Sequence, residues 1–322
     1  MPRLRLAAVL LSIAALVSAG RAQPRQRLNP VISLLEHNQP VFGVYWPSNG
    51  GGRRGGDAPP RPASDLAKDA FDYTQADFYF NGTMENAFDR GMAAYSDFAK
   101  AFLALGVERK LPLFGLTHPL IVKTPKIAVD PAQAIDNIGR ELNLGASGIM
   151  FVEAESADEV RQGLAAMRFK SKGGTRSDQV GMAPEFWGMS EDDYRQTADL
   201  WPLNPDGELI NWTIVESKEG LAHVREIAAV KGIGVLWPGA GTLRGVFSTT
   251  NENGERVVDM AAHENAIQQV LAACKEFKVP CGYPANANDI EMRMKQGFSV
   301  FVVNWSDAGF QAIDLGRKAA GR

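Results

Sequence analysis

The sequence has few cysteines, little net charge and almost no long apolar runs. Two cysteines in 322 residues exclude a disulfide framework and a cysteine metal knuckle. A net charge of −3 and a pI near 5.9 give no basic excess, so no nucleic-acid partner is expected. The one prominent apolar run, LAAVLLSIAALVSAG at residues 6–20, is too short to span a bilayer comfortably.

The N-terminus has the pattern of a secretory signal peptide. Basic MPRLR precedes the apolar run, and the small residues GRA at 20–22 follow it. This order predicts cleavage after Ala22. The alternative is a membrane anchor, which is disfavoured because no positively charged flank follows a longer apolar run. We therefore expect residues 23–322 to be exported, to the periplasm if the cell has two membranes, with no membrane contact after cleavage.

The two cysteines are close together in the chain. Cys274 lies in a helical pattern and Cys281 lies in the strand that follows it. We expect both to be small core residues, and a disulfide between them is the alternative.

Strands and helices alternate after a Gly/Pro/Arg-rich loop at residues 47–64, which is either a lid or a loose insertion. The predicted strands are 41–46, 77–81, 111–115, 148–152, 210–215, 234–237, 280–283 and 299–304. The predicted helices are 88–105, 131–142, 157–167, 218–230, 260–277 and 287–296. Apolar strands joined by helices indicate a parallel sheet covered on both faces. Eight of them in one chain of this length predict an α/β fold, a single (β/α)8 TIM barrel over residues 23–322.

In such a barrel the chemistry lies where the strands end. The residues predicted there, in chain order, are Arg53 and Arg54, Glu85, Thr117 and His118, Glu153 and Glu155, Glu216, Pro238–Gly241, Asn286 and Asn288, and Trp305 and Asp307. Four of them are glutamates, and carboxylates of this kind hold hard divalent cations. Glu85 and Glu216 have a structural alternative, since each could instead cap the helix that follows. Trp237, at a strand end, could line a pocket for a flat substrate.

The pattern resembles the HpcH/HpaI aldolase/citrate lyase family of phosphoenolpyruvate/pyruvate-binding barrels, over about residues 35–315. The matching segments are GVYWPS, DFYFNGTMENAFD, GASGIMFVEAESADEVRQGLAAMRF, KGGTR, NWTIVESKEGLAHVREIAAVKGIGVLWPGAG and VPCGYPANANDIEMRMKQGFSVFVVNWSDAGF. The resemblance implies a divalent metal (Mg, Mn or Co), a pyruvate-like oxo acid and a carbon–carbon bond cleaved or formed beside a carbonyl. The metal acts there as a Lewis acid. It also implies a homo-oligomer.

The resemblance assigns roles residue by residue. Glu216 in TIVES matches the family's first metal carboxylate, whereas WPGAGTL places Gly241 where the second carboxylate stands. Glu85 falls at the position of the catalytic histidine. The arginine that follows strand three has no counterpart in LFGLTHP, where His118 is the nearest candidate. The predicted site is therefore Glu85 and His118 for catalysis, Glu216 and Glu153 for metal, and Arg176, Trp237, Gly239 and Ala240 for substrate.

Three functions follow from this pattern. The first is a divergent metal-dependent carbon–carbon lyase acting on an oxo or hydroxy acid. The second is a barrel that binds a small molecule without catalysis, which the glycine at Gly241 favours. The third is a hydrolase that uses Glu85 and Glu216 as paired carboxylates, a chemistry that barrels often host.

Overall fold

The computed structural model describes residues 26–48 and 60–322. The predicted signal peptide and the pair Arg53 and Arg54 lie outside these residues. The strands are β1 (Val41–Tyr45), β2 (Phe78–Asn81), β3 (Leu120–Thr124), β4 (Gly148–Phe151), β5 (Leu200–Trp201), β6 (Leu209–Val215), β7 (Val235–Pro238), β8 (Ser248–Thr250), β9 (Arg256–Val258), β10 (Gly282–Pro284) and β11 (Val300–Val303).

Fourteen α-helices accompany the strands in the described part of the chain. They are α1 (Pro30–Glu36), α2 (Ala63–Asp72), α3 (Phe88–Glu108), α4 (Phe114–Thr117), α5 (Pro131–Asn143), α6 (Ala157–Met167), α7 (Ala183–Trp187), α8 (Glu191–Thr197), α9 (Lys218–Ala222), α10 (Val224–Ala228), α11 (Ala240–Val246), α12 (Met260–Phe277), α13 (Ile290–Gln296) and α14 (Asp307–Ala319). Short 3-10 helices span Ile127–Val129 and Lys170–Lys172. None of the helices between residues 26 and 48 or between 60 and 322 combines the length and apolar character needed to cross a bilayer.

Nine of the strands form one parallel sheet. Its order is β10-β11-β1-β2-β3-β4-β6, and both β5 and β7 pair with β6. The sheet curls until β7 and the start of β10 meet at one bridge, Leu236 to Cys281, where the Leu236 N–H donates to the Pro280 carbonyl at 2.9 Å. Strands β8 and β9 form a separate antiparallel hairpin. The α/β prediction is therefore confirmed as a curled parallel sheet of TIM-barrel-like form.

The core has two layers because strand side chains alternate between the two faces of the sheet. One layer fills the inside of the curl, where the Phe80, Trp212 and Trp237 rings stack in sequence at 6.0 and 5.4 Å. Helix α1 covers the amino end of this layer with buried apolar residues such as Ile32. The larger layer packs between the sheet and the outer helices. The carboxyl ends of the strands are left as the open end of the curl.

Most predicted elements are confirmed within a few residues. Helices α6 and α12 have the predicted bounds, and Ser156 caps α6 by accepting the Glu159 N–H at 3.2 Å. The predicted helix 218–230 is interrupted at His223, whose ring nitrogen lies 2.9 Å from the Glu155 carbonyl.

The predicted third strand, 111–115, is wrong. That segment turns at Leu113, which has a positive φ of 52°, and forms α4. A Cβ on Gly115 would lie 2.2 Å from the Phe186 carbonyl oxygen, so the segment packs closely against α7. The third strand is the next apolar run, LIVKT, whose β-branched residues favour a strand.

The expectation of two free core cysteines is also wrong, because Cys274 and Cys281 form a disulfide. Both residues are buried, at the end of α12 and immediately before β10. The bond therefore lies beside the single bridge at which the curled sheet meets itself.

Helix α5 carries a fully buried carboxyl, Glu141. Neither of its oxygens has a hydrogen-bond partner among the described residues. Burial raises the pKa of Glu141 well above its ordinary value of 4.5, although the Thr124 side chain and Arg140 oppose the shift. The folded protein therefore keeps a proton that the unfolded chain releases above about pH 4.5.

This proton makes stability depend on pH in a defined direction. Above the unfolded value of 4.5, the free energy of unfolding should fall by roughly 1.4 kcal/mol per pH unit until the folded carboxyl ionises. Glu141→Gln is expected to remove this fall. Urea unfolding between pH 5 and 8 checks it, with the exposed Glu108→Gln as control. A slope that Glu141→Gln leaves unchanged would contradict the assignment.

Candidate functional site

Four polar side chains converge at the open end of the sheet. Tyr45 ends β1, Glu85 follows β2, Lys123 lies near the end of β3 and Glu216 follows β6. They line two adjoining cavities that share Tyr45 and Lys123. The cavity beside Glu216 has a volume of about 200 Å³. The cavity beside Glu85 has a volume of about 750 Å³ and extends to Asn304 and Trp305.

Glu216 is held inside the smaller cavity. The seven-residue strand β6 is buried along its whole length. Glu216 follows it directly and is only 4% exposed. The Glu153 N–H donates to Oε1 at 3.1 Å, and the nearby Thr242 side chain lowers the pKa of the carboxyl. A Cβ on Gly239 would lie 2.6 Å from Oε2 and 2.3 Å from the Glu216 Cβ. Only glycine at position 239 therefore leaves room for the carboxylate.

The surroundings of Glu216 favour the protonated form of its carboxyl. Burial raises the pKa of this carboxyl above its ordinary value, and the nearby Glu85 adds to the rise. Lys123, the Thr242 side chain and the Glu153 N–H oppose it without cancelling it. A carboxyl with a raised pKa suits general acid–base chemistry near neutral pH.

Lys123 is the residue of this site that sequence reasoning missed. Its Nζ lies 2.9 Å from Glu85 Oε2, and the two side chains are 14% and 26% exposed. The error followed from the misplaced third strand, since LIVKT ends at the mouth and LFGLTHP does not. The β-branched run before Pro125 was the signal that could have found it. Lys123 therefore places a positive charge near the end of the third strand, where the resemblance implied an arginine in other members of the family.

Tyr45 adds a hydroxyl to the same cluster. The residue as a whole is 38% exposed, but desolvation of its hydroxyl raises the pKa of Tyr45. Lys123 opposes this rise, whereas Glu85 and Glu216 add to it. Its ring meets Phe80 edge to face at 5.0 Å, with the stacked aromatic rings of the inner layer beyond. The site is thus a small polar cluster on an apolar floor.

Glu153, predicted as a metal ligand, contributes its backbone and not its carboxylate. The residue has a positive φ of 47°, and its N–H points to Glu216. Its side chain is 45% exposed and lies 3.4 Å from Lys126 Nζ. Lys126 pairs more closely with Glu155, at 2.6 Å, and Glu155 also accepts a hydrogen bond from Ser217. These groups form a second charge cluster beside the first.

His118, predicted as catalytic, lies at the opposite end of the sheet. It follows α4 and precedes β3, so it marks the amino end of that strand. Its ring stacks on Phe71 at 5.0 Å and approaches the Phe114 carbonyl at 3.3 Å. The prediction depended on the misplaced strand, and the position of His118 contradicts it.

Arg176, predicted to bind substrate, is also far from the mouth. It is 1% exposed, with its guanidinium 4.3 Å from the Phe169 ring centroid. It donates to Asn143 at the end of α5, which leads into the amino end of β4. Its buried contacts contradict a role in substrate binding and indicate a structural one.

The other substrate predictions fall in the right place. Trp237, Gly239 and Ala240 line the same cavity as Glu216. They lie at the end of β7 and the start of α11, where the sequence placed them. Their contact with a substrate stays a prediction.

The donor set at the mouth does not suit a divalent cation. Within residues 26–48 and 60–322, no three His, Cys, Asp or Glu side chains are grouped so that they could hold a metal ion. Glu85 is paired with Lys123, and the Glu153 carboxylate faces Lys126. The position expected for a second carboxylate is Gly241, where an added Cβ would have no heavy atom within 4 Å.

That open space leads to a prediction. Gly241→Asp should fold without displacing a neighbour and place a second carboxylate near Glu216. Because affinity for hard cations rises with the number of carboxylates, we expect Mn²⁺ to bind this variant roughly tenfold more tightly than the wild type. Isothermal titration calorimetry of both proteins checks this, with Gly241→Asn as the uncharged control. Equal affinity in all three would contradict it.

These features define a TIM-barrel-like protein with a cluster of acidic and basic side chains at the carboxyl ends of its strands. The chain belongs to the HpcH/HpaI aldolase/citrate lyase family, whose model matches residues 118–304, more than half of the sequence. No curated protein matches it.

Solved structures agree with the fold. A HpcH/HpaI aldolase/citrate lyase family protein from Burkholderia cenocepacia J2315 is 21% identical, with a TM-score of 0.63 over 91% of this chain and 98% of its own. Macrophomate synthase is 17% identical, with a TM-score of 0.56 over 91% of this chain and 87% of its own. A HpcH/HpaI aldolase from Desulfitobacterium hafniense DCB-2 is 16% identical, with a TM-score of 0.57 over 88% of this chain and 93% of its own.

Proposed function

We propose that this protein is a carbon–carbon lyase that cleaves or forms a bond beside the carbonyl of a small 2-oxo acid. The observation that carries the proposal is the buried Glu216 carboxyl, with its raised pKa, in a cavity of about 200 Å³ that also contains Lys123. Membership of the family supplies the reaction class. The small cavity supports a short substrate.

The reaction can be written with the side chains present. In the cleavage direction, Glu216 takes the proton from the hydroxyl at C4 of a 4-hydroxy-2-oxo acid. The C3–C4 bond breaks, the C4 oxygen becomes an aldehyde or ketone, and the electron pair forms the enolate of the shorter oxo acid. The Lys123 ammonium stabilises the enolate oxygen. Glu216 then returns its proton to C3, which completes the balance.

A divalent metal is the family's usual source of the positive charge in this step. The donor set around Glu216 does not fit one, because the Glu153 carboxylate faces Lys126 and position 241 is a glycine. No step is therefore assigned to a metal here.

The test is the reverse reaction, because it requires no knowledge of the natural substrate. Mature protein is incubated with pyruvate and a panel of short aldehydes, and products are separated by mass. We expect a 4-hydroxy-2-oxo acid to form with at least one aldehyde.

The second candidate, a non-catalytic binding barrel, is favoured by the absence of a carboxylate at Gly241 and predicts pyruvate binding without any such product.

We also propose that the protein is exported. The basic, apolar and small residues of the N-terminus support this. The buried disulfide between Cys274 and Cys281 adds a second reason, since structural disulfides persist mainly in oxidising compartments. Expression with the full N-terminus should give a protein that begins at Gln23 in the extracellular or periplasmic fraction. An uncleaved cytoplasmic product would contradict the proposal.

A further inference from the structure

Among the residues that the structure describes, Lys123 supplies the one ammonium group that lines the cavities at the mouth of the sheet. Lys123 Nζ contacts Glu85 at 2.9 Å. The positive charge of Lys123 also lowers the pKa values of Glu216 and Tyr45. Lys123 and Tyr45 are the two residues that line both cavities. A small anion entering either cavity therefore meets the same positive charge.

The second lysine of this rim is in a different situation. Lys126 is held by two carboxylates, Glu155 at 2.6 Å and Glu153 at 3.4 Å. Neither cavity is lined by Lys126. Its exposed fraction, 20%, is close to the 14% of Lys123. Lys123 therefore lines the site, and Lys126 is a lysine of similar exposure that does not, so it can serve as a matched control.

We infer that the Lys123 ammonium takes the place of a divalent cation, binding the carboxylate and keto oxygen of the substrate, so that this protein acts without a metal. The inference depends on the proposed lyase function for its catalytic part. Its physical basis is the donor set among the described residues: the Glu85 and Glu153 carboxylates beside Glu216 are paired with Lys123 and Lys126, and Lys123 already supplies a positive charge. An oxyanion is stabilised by any fixed positive charge within hydrogen-bond distance.

Two measurements on the chelator-treated mature protein test this. The first is pyruvate binding by isothermal titration calorimetry. The second is the exchange of pyruvate methyl protons in D₂O, which reports enolate formation. We expect both to be unchanged by EDTA and by added Mg²⁺, Mn²⁺ or Co²⁺. Binding or exchange that appears only with an added cation would overturn the inference.

Variants of Lys123 and Lys126 test which ammonium group binds pyruvate. Lys123→Met is expected to weaken pyruvate binding by roughly 10- to 100-fold, the loss typical of a hydrogen bond to a charged group. Lys123→Arg should recover part of this loss because it keeps the charge. Lys126→Met should bind within about threefold of wild type, and thermal unfolding confirms that each variant is folded. Equal weakening by Lys123→Met and Lys126→Met would overturn the assignment.

The outcomes separate this inference from the proposed function. Metal-free, Lys123-dependent binding without proton exchange would refute the lyase function and leave the binding role of Lys123 supported. Exchange that requires Mn²⁺ would support the lyase function and refute the inference. A pyruvate adduct on Lys123 after borohydride reduction would show that the amine reacts covalently, and would likewise refute a purely electrostatic role.

Discussion

Replacing Glu216 by glutamine is expected to lower the rate of carbon–carbon bond formation by roughly 10²- to 10⁴-fold, the contribution typical of a positioned general acid–base group. Glutamine has nearly the same shape and its oxygen still accepts the Glu153 N–H that the carboxylate accepts at 3.1 Å. It cannot take up and return a proton. The loss should therefore appear in kcat, with little change in the thermal unfolding temperature.

Glu153→Gln is the matched control for this variant. Its carboxylate is 45% exposed and lies beside Lys126, outside the cavity. Because Glu153 serves the site through its backbone N–H, removal of its charge should change the rate by less than about threefold. Equal losses in the two variants would show that negative charge at the rim matters, and not the proton carried by Glu216.

The second large effect concerns stability. Cys274→Ala with Cys281→Ala should lower the free energy of unfolding by about 2.5 kcal/mol, the chain-entropy value for a short closed loop. The disulfide lies where β7 and β10 meet at the single bridge between Leu236 and Cys281. Few other backbone contacts hold this junction, so its loss should loosen it.

Dithiothreitol provides the control for this prediction. Reductant should lower the stability of the wild type toward that of the double variant, measured by urea unfolding, and leave the variant unchanged. Cys274→Ala alone should match the double variant. A wild type insensitive to reductant after full reduction of the bond, shown by thiol titration, would contradict a stabilising role.

The fold could be predicted largely from apolar periodicity. Runs such as GIMFV and NWTIV are bounded by turns and helices, and they became β4 and β6. The prediction of the third strand failed because two apolar runs, LPLFGL and LIVKT, follow one another. Only tertiary contacts decide between them: Gly115 packs against Phe186, which places the first run outside the sheet.

The site was predictable only where it depended on strand ends. Glu216 and Trp237 were placed correctly because β6 and β7 were. Lys123 was missed and His118 chosen because of the one misplaced strand. The direction of the Glu153 side chain and the disulfide could not be read from residue types, since each depends on a local turn and on the meeting of distant elements.

The measurement that tests the central claim most directly is the exchange of pyruvate methyl protons in D₂O, followed by NMR with wild type and Glu216→Gln. This partial reaction requires only the oxo acid and a proton carrier. Exchange catalysed by the wild type and reduced at least 100-fold in Glu216→Gln is the expected result. Equal exchange by the two proteins, or none above the buffer rate in either, would contradict the claim that Glu216 moves a proton at carbon.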